Sequence, residues 1–180
     1  MKRKIDPKLE ENFLFNIIVP VFNAEKYIEK CLNSIVKQAH NRFQVLIVDD
    51  CSSDSSYEIA SKICEKNKHF KIFRNNRRIG ALNNIRNLLE KKIKEPTKTI
   101  DLIVDGDDYL YSSDVLNILE EKYKQSNCLI TYGSHISSNG VQGKKYPRII
   151  RKFNLFRKYF WYASHLKTFR HDLWLAINPQ

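Results

Sequence analysis

Between Lys122 and His171 the chain holds no aspartate and no glutamate. Over the same stretch it carries Lys122, Lys124, Lys144, Lys145, Arg148, Arg151, Lys152, Arg157, Lys158, Lys167 and Arg170. These basic residues account for the whole formal net charge of +11, so the first two thirds of the chain is close to neutral. Such asymmetry implies an anionic partner for the C-terminal third, or a solvated basic face. Long apolar runs are missing as well. No stretch approaches the roughly 20 residues that span a bilayer. The N-terminal Met1-Lys2-Arg3-Lys4 has charge but no apolar core behind it, which argues against a secretory signal. Cys31, Cys51, Cys64 and Cys128 show no metal-type pairing. They read as reduced thiols of a cytoplasmic protein rather than a zinc site or a disulfide framework. No Gly-x-Gly-x-x-Gly follows the first apolar run, and no Gly-rich loop ends in Gly-Lys-Ser/Thr. The dinucleotide and P-loop fingerprints are therefore absent.

What is present is an alternation. At 180 residues and 42% hydrophobic content the chain can bury one genuine core. Residues 16–21, 43–48, 70–73, 100–104 and 128–132 read as short buried strands. Between them, Ile28, Cys31, Leu32, Ile35 and Val36 fall on one helical face, as do Ile59, Ala60 and Ile63. Leu82, Ile85, Leu88, Leu89 and Ile93 mark a third helix stopped by Pro96, and Val115, Leu116, Leu119 and Tyr123 a fourth. Strands alternating with helices predict an α/β fold with a mostly parallel central sheet flanked by helices. Beyond Tyr132 the alternation fails. Residues 1–14 read as an N-terminal extension, 15–135 as the core, and 136–180 as a basic aromatic segment.

Two of the strands end in carboxylates. Ile100-Asp-Leu-Ile-Val-Asp-Gly-Asp-Asp108 delivers Asp105, Asp107 and Asp108 onto one turn, and Phe43 to Val48 ends in Asp49 and Asp50. Crowding like charges raises the cost of ionising each. A hard divalent cation such as Mg²⁺ or Mn²⁺ removes that cost, since it prefers oxygen ligands and keeps positions open for phosphates. The plainer account is a polar turn in which an aspartate caps the next helix. Ligands of open α/β sheets collect outside the carboxyl ends of parallel strands, so both acidic ends are expected to face one crevice. Pro20 marks where the first strand leaves the sheet. Phe22 offers a flat wall for a base, while Asn23 and Glu25 either cap the following helix or touch a ligand.

Four segments in register carry a resemblance: Ile-Val-Pro-Val-Phe-Asn-Ala-Glu25, Val-Asp-Asp-Cys-Ser-Ser-Asp54, Asn-Arg-Arg-Ile-Gly-Ala-Leu-Asn-Asn-Ile-Arg-Asn87 and Val-Asp-Gly-Asp-Asp-Tyr-Leu110. Together, over about residues 15–125, they resemble the family 2 glycosyltransferases, which have the GT-A fold and invert the anomeric centre. The resemblance implies a nucleotide-diphosphate sugar donor, most often UDP-linked, bound with Mn²⁺ or Mg²⁺ at an Asp-x-Asp motif. By position, Pro20, Val21, Phe22 and Glu25 would line the nucleoside pocket, and Asp50 would accept from the base N–H. Arg78 would lie near base and phosphates. Asp107 would contact ribose or metal, Asp108 would hold the metal, and Asp105 would support both. His165, in a phrase similar to the acceptor and diphosphate side of family members, would join Lys167 and Arg170 around the diphosphate. The alternative for His165 is a partly buried residue of an aromatic helix.

The family's catalytic base usually comes from an acidic motif in the C-terminal part. After Glu121 the only acid here is Asp172, so Asp172 is the one candidate catalytic residue. Its setting resembles the segment before that motif, and the expected base falls beyond Gln180. Donor binding with weak or absent transfer is the expectation. The acceptor implied is a glycan, a lipid or a protein, and a basic aromatic tail can also lie on the cytosolic face of a membrane. Two other classes compete. A nucleic-acid or anionic-surface binder would use the basic third, although no defined reader motif occurs there. A nucleotidyltransferase would open with a Gly-rich basic loop that is missing.

Overall fold

The computed structural model describes residues 12–92, 96–126, 128–137, 139–143 and 164–177. Six strands make one sheet: β1 (Leu14–Val21), β2 (Phe43–Asp49), β3 (Phe70–Arg74), β4 (Thr99–Ile103), β5 (Ile130–Gly133) and β6 (Ser164–Arg170). Their order is β3-β2-β1-β4-β6-β5. The first four run parallel, and β6 is antiparallel to both β4 and β5. The helices are α1 (Ile28–Val36), α2 (Ser56–Glu65), α3 (Ala81–Lys92), α4 (Val115–Ser126) and α5 (His171–Ile177).

Strand β1 is buried from Phe15 to Val21 because both faces of the sheet are covered, which is why its sequence runs apolar without alternation. Phe15, Ile17, Val19 and Val21 pack on one face with Ile28, Leu32 and Ile35 of α1. Ile18 packs on the other with Leu46, Val48 and Leu88 and Leu89 of α3. Burying each such side chain stabilises the fold by about 1.5–3 kcal/mol. Helix α3 departs from the periodic reading at one end. Leu82 is exposed and Asn84 is buried in its place. The helix begins only at Ala81, and its first turn faces Leu82 outward.

The larger departure is β6. Ser164 to Arg170 is a strand rather than a helix, and it lies between β4 and β5, so the sheet crosses the boundary expected at residue 135. Periodicity hides it because its pairing is long-range and partly polar. Thr168 is fully buried, and its hydroxyl meets Tyr123 Oη at 2.7 Å and Thr131 Oγ1 at 2.6 Å. A second polar row crosses the sheet. Gln44 Nε2 donates to Asn16 Oδ1 (3.1 Å), Asn16 Nδ2 donates to Asp101 Oδ1 (2.8 Å), and Asp101 Oδ2 meets His171 Nδ1 at 2.7 Å. Asn16, Asp101 and His171 are all buried. Burial raises the Asp101 carboxyl, and the bonds from His171 and Asn16 only partly offset it. This row anchors α5 to the amino-terminal edge of the parallel strands.

Candidate functional site

Strand β1 lies where the strand order turns, with β2 and β3 on one side and β4 on the other. Ligands gather at such switch points. Main-chain bonds hold both acidic strand ends against the end of β1. Asp50 N–H donates to Val21 O (2.8 Å), and Gly106 N–H donates to Pro20 O (3.2 Å). Between them opens a cleft of about 220 Å³, lined by Pro20, Val21, Phe22, Asp50, Arg78, Asp105 and Asp107 among others. The two acidic ends therefore face one cleft.

Glycine suits the middle of the second acidic turn, where a side chain would be crowded. A Cβ on Gly106 would sit 3.2 Å from Pro20 O and 3.3 Å from Val21 Cγ2. The turn is closed by Asp108 N–H donating to Asp105 O at 2.9 Å. Asp105 and Asp107 of this turn line the cleft, and Asp108 beside them lies outside its lining. Their negative field is felt nearby. Burial, then the charges of Asp108, Asp107 and Asp105, push the Cys31 thiol up to about 12. Among the described residues no group of three or more His, Cys, Asp or Glu closes a metal cage. A divalent cation here would complete its shell with substrate oxygens and water, as Mg²⁺ and Mn²⁺ commonly do. The donor set fits that chemistry.

Asp50 is held differently. Its Oδ1 accepts from Asn75 Nδ2 (2.8 Å) and Ile79 N–H (2.9 Å), and its Oδ2 accepts from Gly80 N–H (2.7 Å). Burial alone would raise this carboxyl. The Ile79 N–H, the Asn84 and Asn75 amides and the Gly80 N–H outweigh it and bring it from 3.8 down to about 2. An acid this strong accepts hydrogen bonds and does not remove a proton from an alcohol. Across the cleft the Arg78 guanidinium stacks 3.8 Å from the Phe22 ring centroid, a cation–π pair on the wall expected to meet a base.

Glu25 and Asn23 neither cap α1 nor face the cleft floor together. Glu25 lies outside the lining, and its Oε2 accepts from Ser55 N–H at 3.1 Å. Asn23 lines the cleft and accepts from Ser53 N–H at 2.9 Å through its Oδ1. In return, Asn23 N–H donates to Ser52 Oγ (3.0 Å), Ala24 N–H to Ser56 Oγ (2.7 Å) and Glu25 N–H to Asp54 Oδ2 (3.1 Å). The loops after β1 and β2 are clamped by each other's side chains. Cys51 sits in this clamp with a left-handed φ of 64°, which costs a non-glycine residue roughly 1 kcal/mol or more. Cys51→Gly is expected to raise the melting temperature by roughly 2–4 °C. An unchanged or lower melting temperature would show that the backbone strain is compensated locally.

Asp172 is not brought to this cleft. Arg170 pairs in register with Ile100, which puts the end of β6 at the amino-terminal edge of β4, away from Asp105. Asp172 there binds the Arg170 guanidinium, Oδ2 to Nη2 at 2.6 Å and Oδ1 to Nε at 3.1 Å. Arg170 is thereby removed from the diphosphate group of candidates as well. His165 lies in β6 toward the carboxyl edge of β4, and its side chain is outside the described residues. Sequence reasoning missed Tyr27 and Asn84 on the cleft wall, and Asn75, which bridges Asp50 and Asn84. The available signal was an asparagine four residues before Leu88 on the inward stripe of α3.

A mixed sheet of this order, with acidic strand ends at the switch point, is shared with the GT-A glycosyltransferases, on whose solved structures it superposes. The sequence matches the model of Glycosyl transferase family 2 over residues 16–177, and the chain belongs to that family. It is similar to poly(ribitol-phosphate) beta-N-acetylglucosaminyltransferase TarS of Staphylococcus aureus, 33% identical over 143 residues, covering 77% of this chain and 23% of that protein. It is also similar to the uncharacterized glycosyltransferase EpsJ of Bacillus subtilis, 29% identical over 178 residues, covering 92% and 50%. The structure of S. aureus TarS 1-349 in complex with UDP-GlcNAc superposes with a TM-score of 0.68 at 28% identity, covering 92% of this chain and 47% of that one. A mannosyltransferase from Pyrobaculum calidifontis, solved with GDP-Man and Mn²⁺, has a TM-score of 0.67 at 19% identity and shares the fold. The chain spans half or less of the length of these relatives. The family match gives the nucleic-acid alternative no support. No helix among the described residues is long and apolar enough to cross a membrane.

Proposed function

We propose that this chain binds a nucleoside-diphosphate sugar, UDP-linked, and supplies the donor side of an inverting transfer to an acceptor hydroxyl. The observation that carries this reading is the single cleft lined by both Asp50 and Asp107, one end poised to accept from a base and the other rich in carboxylates. Phe22 and Arg78 would flank the base, with Pro20 and Val21 beneath it. Asp107 and Asp108, supported by Asp105, would hold Mn²⁺ or Mg²⁺. When bound, that cation would neutralise charge on the departing diphosphate without needing a proton. The chain's own part is to orient the donor between two fixed strand ends, which lowers the entropic share of the barrier.

We assign the general base to no residue of the described cleft. Asp50 is too acidic for the role, and Asp172 lies at the other edge of the sheet. Asp172→Ala is accordingly expected to leave nucleotide affinity unchanged and to cost on the order of 1 kcal/mol, as for a half-buried ion pair. A loss of affinity in that variant, read by calorimetry, would return Asp172 to the site. The acid-free basic stretch from Lys122 to His171 suits a polyanionic acceptor, in keeping with the polyol-phosphate named for TarS. The scattered cysteines suit a reducing cytoplasm.

The test of the donor reading is thermal. UDP with Mn²⁺ is expected to raise the melting temperature, and Asp108→Ala to remove the metal-dependent part of that shift. If no nucleoside diphosphate shifts the melting temperature with or without metal, the donor reading is lost.

A further inference from the structure

We propose that Ser34 of α1 is a positioning residue for the acidic turn, its hydroxyl fixing the exit of Asp105–Asp108 so that the carboxylates are in place before a divalent cation arrives. The inference rests on the donor reading above and adds what holds that turn rigid.

The entry of the turn is fastened to β1 by main-chain bonds. Val104 N–H donates to Ile18 O (3.0 Å) and Gly106 N–H to Pro20 O (3.2 Å). The exit is fastened to α1 by a side chain. Leu110 N–H donates to Ser34 Oγ at 3.0 Å, and Ser34 Oγ donates in turn to Cys31 O at 2.6 Å. The second bond uses the hydroxyl's one proton and leaves its lone pairs to accept. One helical turn earlier, Cys31 Sγ reaches Asp105 O at 3.7 Å, a weaker contact with the other end of the same turn. Farther along, Gln38 Nε2 donates to Ser112 O (2.7 Å), and Leu116 N–H donates to Gln38 Oε1 (3.2 Å). Gln38 thus holds the start of α4, while Ser34 holds the acidic turn.

Serine is a poorer helix former than alanine, because its hydroxyl competes for backbone bonds. Its place in α1 is explained by the Leu110 N–H outside the helix. That N–H lies three residues past Asp107, which lines the cleft. A small divalent cation demands oxygens at near-ideal spacing. A turn that has to be ordered during binding forfeits about tenfold in affinity for each residue whose backbone is fixed at that moment. Tying down both ends beforehand avoids that loss.

The test is UDP calorimetry on the whole 180-residue chain, with Mn²⁺ and with EDTA, beside melting temperatures. The comparison variant is Ile18→Val, which trims the core on the face of the sheet opposite α1. Both Ser34→Ala and Ile18→Val are expected to lower the melting temperature by roughly 2–4 °C. Ser34→Ala is expected to bind UDP unchanged in EDTA and about tenfold more weakly with Mn²⁺, whereas Ile18→Val binds as the unaltered chain does in both. Unchanged binding by Ser34→Ala with Mn²⁺ overturns the inference. So does an equal loss in EDTA, or the same loss in Ile18→Val, either of which would make the role one of stability alone. Amide exchange on the unaltered, metal-free chain needs no variant: Leu110 N–H is expected to be protected along with Gly106 N–H, and rapid exchange at Leu110 also overturns it. If Mn²⁺ does not tighten UDP on the unaltered chain, the metal part of the donor reading falls and this inference falls with it.

Discussion

Asp50→Ala is expected to abolish nucleotide binding and to lower folding stability by about 2–4 kcal/mol. Three donors converge on this carboxylate, two of them main-chain N–H groups at the start of α3. Each buried donor left without a partner costs about 1–3 kcal/mol, and some of that is recovered where water enters the open cleft. Denaturant unfolding and UDP calorimetry read the two losses separately. The native carboxyl lies at about 2 against 3.8 for the free group. A carboxylate held below its free value contributes its full stabilisation above about pH 4, and that contribution fades as pH falls toward 2. Its size is on the order of 1–2 kcal/mol, discounted because the cleft is open to solvent. The stability difference between the unaltered chain and Asp50→Asn should therefore shrink between pH 4 and pH 2. A difference that stays constant across that window would mean the carboxylate charge is not what holds the α3 start.

His171→Ala is expected to cost about 1–3 kcal/mol, the range for leaving a buried polar group without its hydrogen-bond partner. Its imidazole is the terminal member of the Gln44–Asn16–Asp101–His171 row, and the Asp101 side chain is 0% exposed. Removing it leaves Asp101 Oδ2 buried without a partner, while Oδ1 keeps the bond from Asn16. Against a typical domain stability of about 5–15 kcal/mol the loss is large. Urea unfolding should show a lower midpoint, and Asp101→Asn with His171 retained should be milder because the amide still bonds. A cost below 1 kcal/mol for His171→Ala would mean that the row is not the anchor of α5.

The parallel half of the fold was legible because its signals are local. Apolar runs in β1, β2 and β4 and helical stripes in α1 and α4 each lie within a dozen residues, and four motifs fix their order. The convergence of Asp50 and Asp107 also followed from pattern, since carboxyl ends of parallel strands share one edge. Strand β6 did not, because Thr168 is buried by pairing with β4 and β5 and by hydroxyls from Tyr123 and Thr131, partners distant in sequence. Asp172 was judged from its place along the chain, and only the Arg170↔Ile100 register shows how far it stands from the cleft. Glu25 belonged to the right loop, and its carboxylate accepts from Ser55 N–H of the neighbouring loop. Asn84 escaped notice because a polar residue on a buried stripe looks like a surface residue until its neighbours are known.

The antiparallel placement of β6 has a consequence for how the chain can be shortened. Until Ser164–Arg170 is in place, β4 has no neighbour on the side away from β1 and stands as a bare, apolar sheet margin. Unpaired margins of that kind recruit other chains. A version ending before residue 164 would keep every cleft residue named on β1, β2 and β4, yet it should self-associate as it is made.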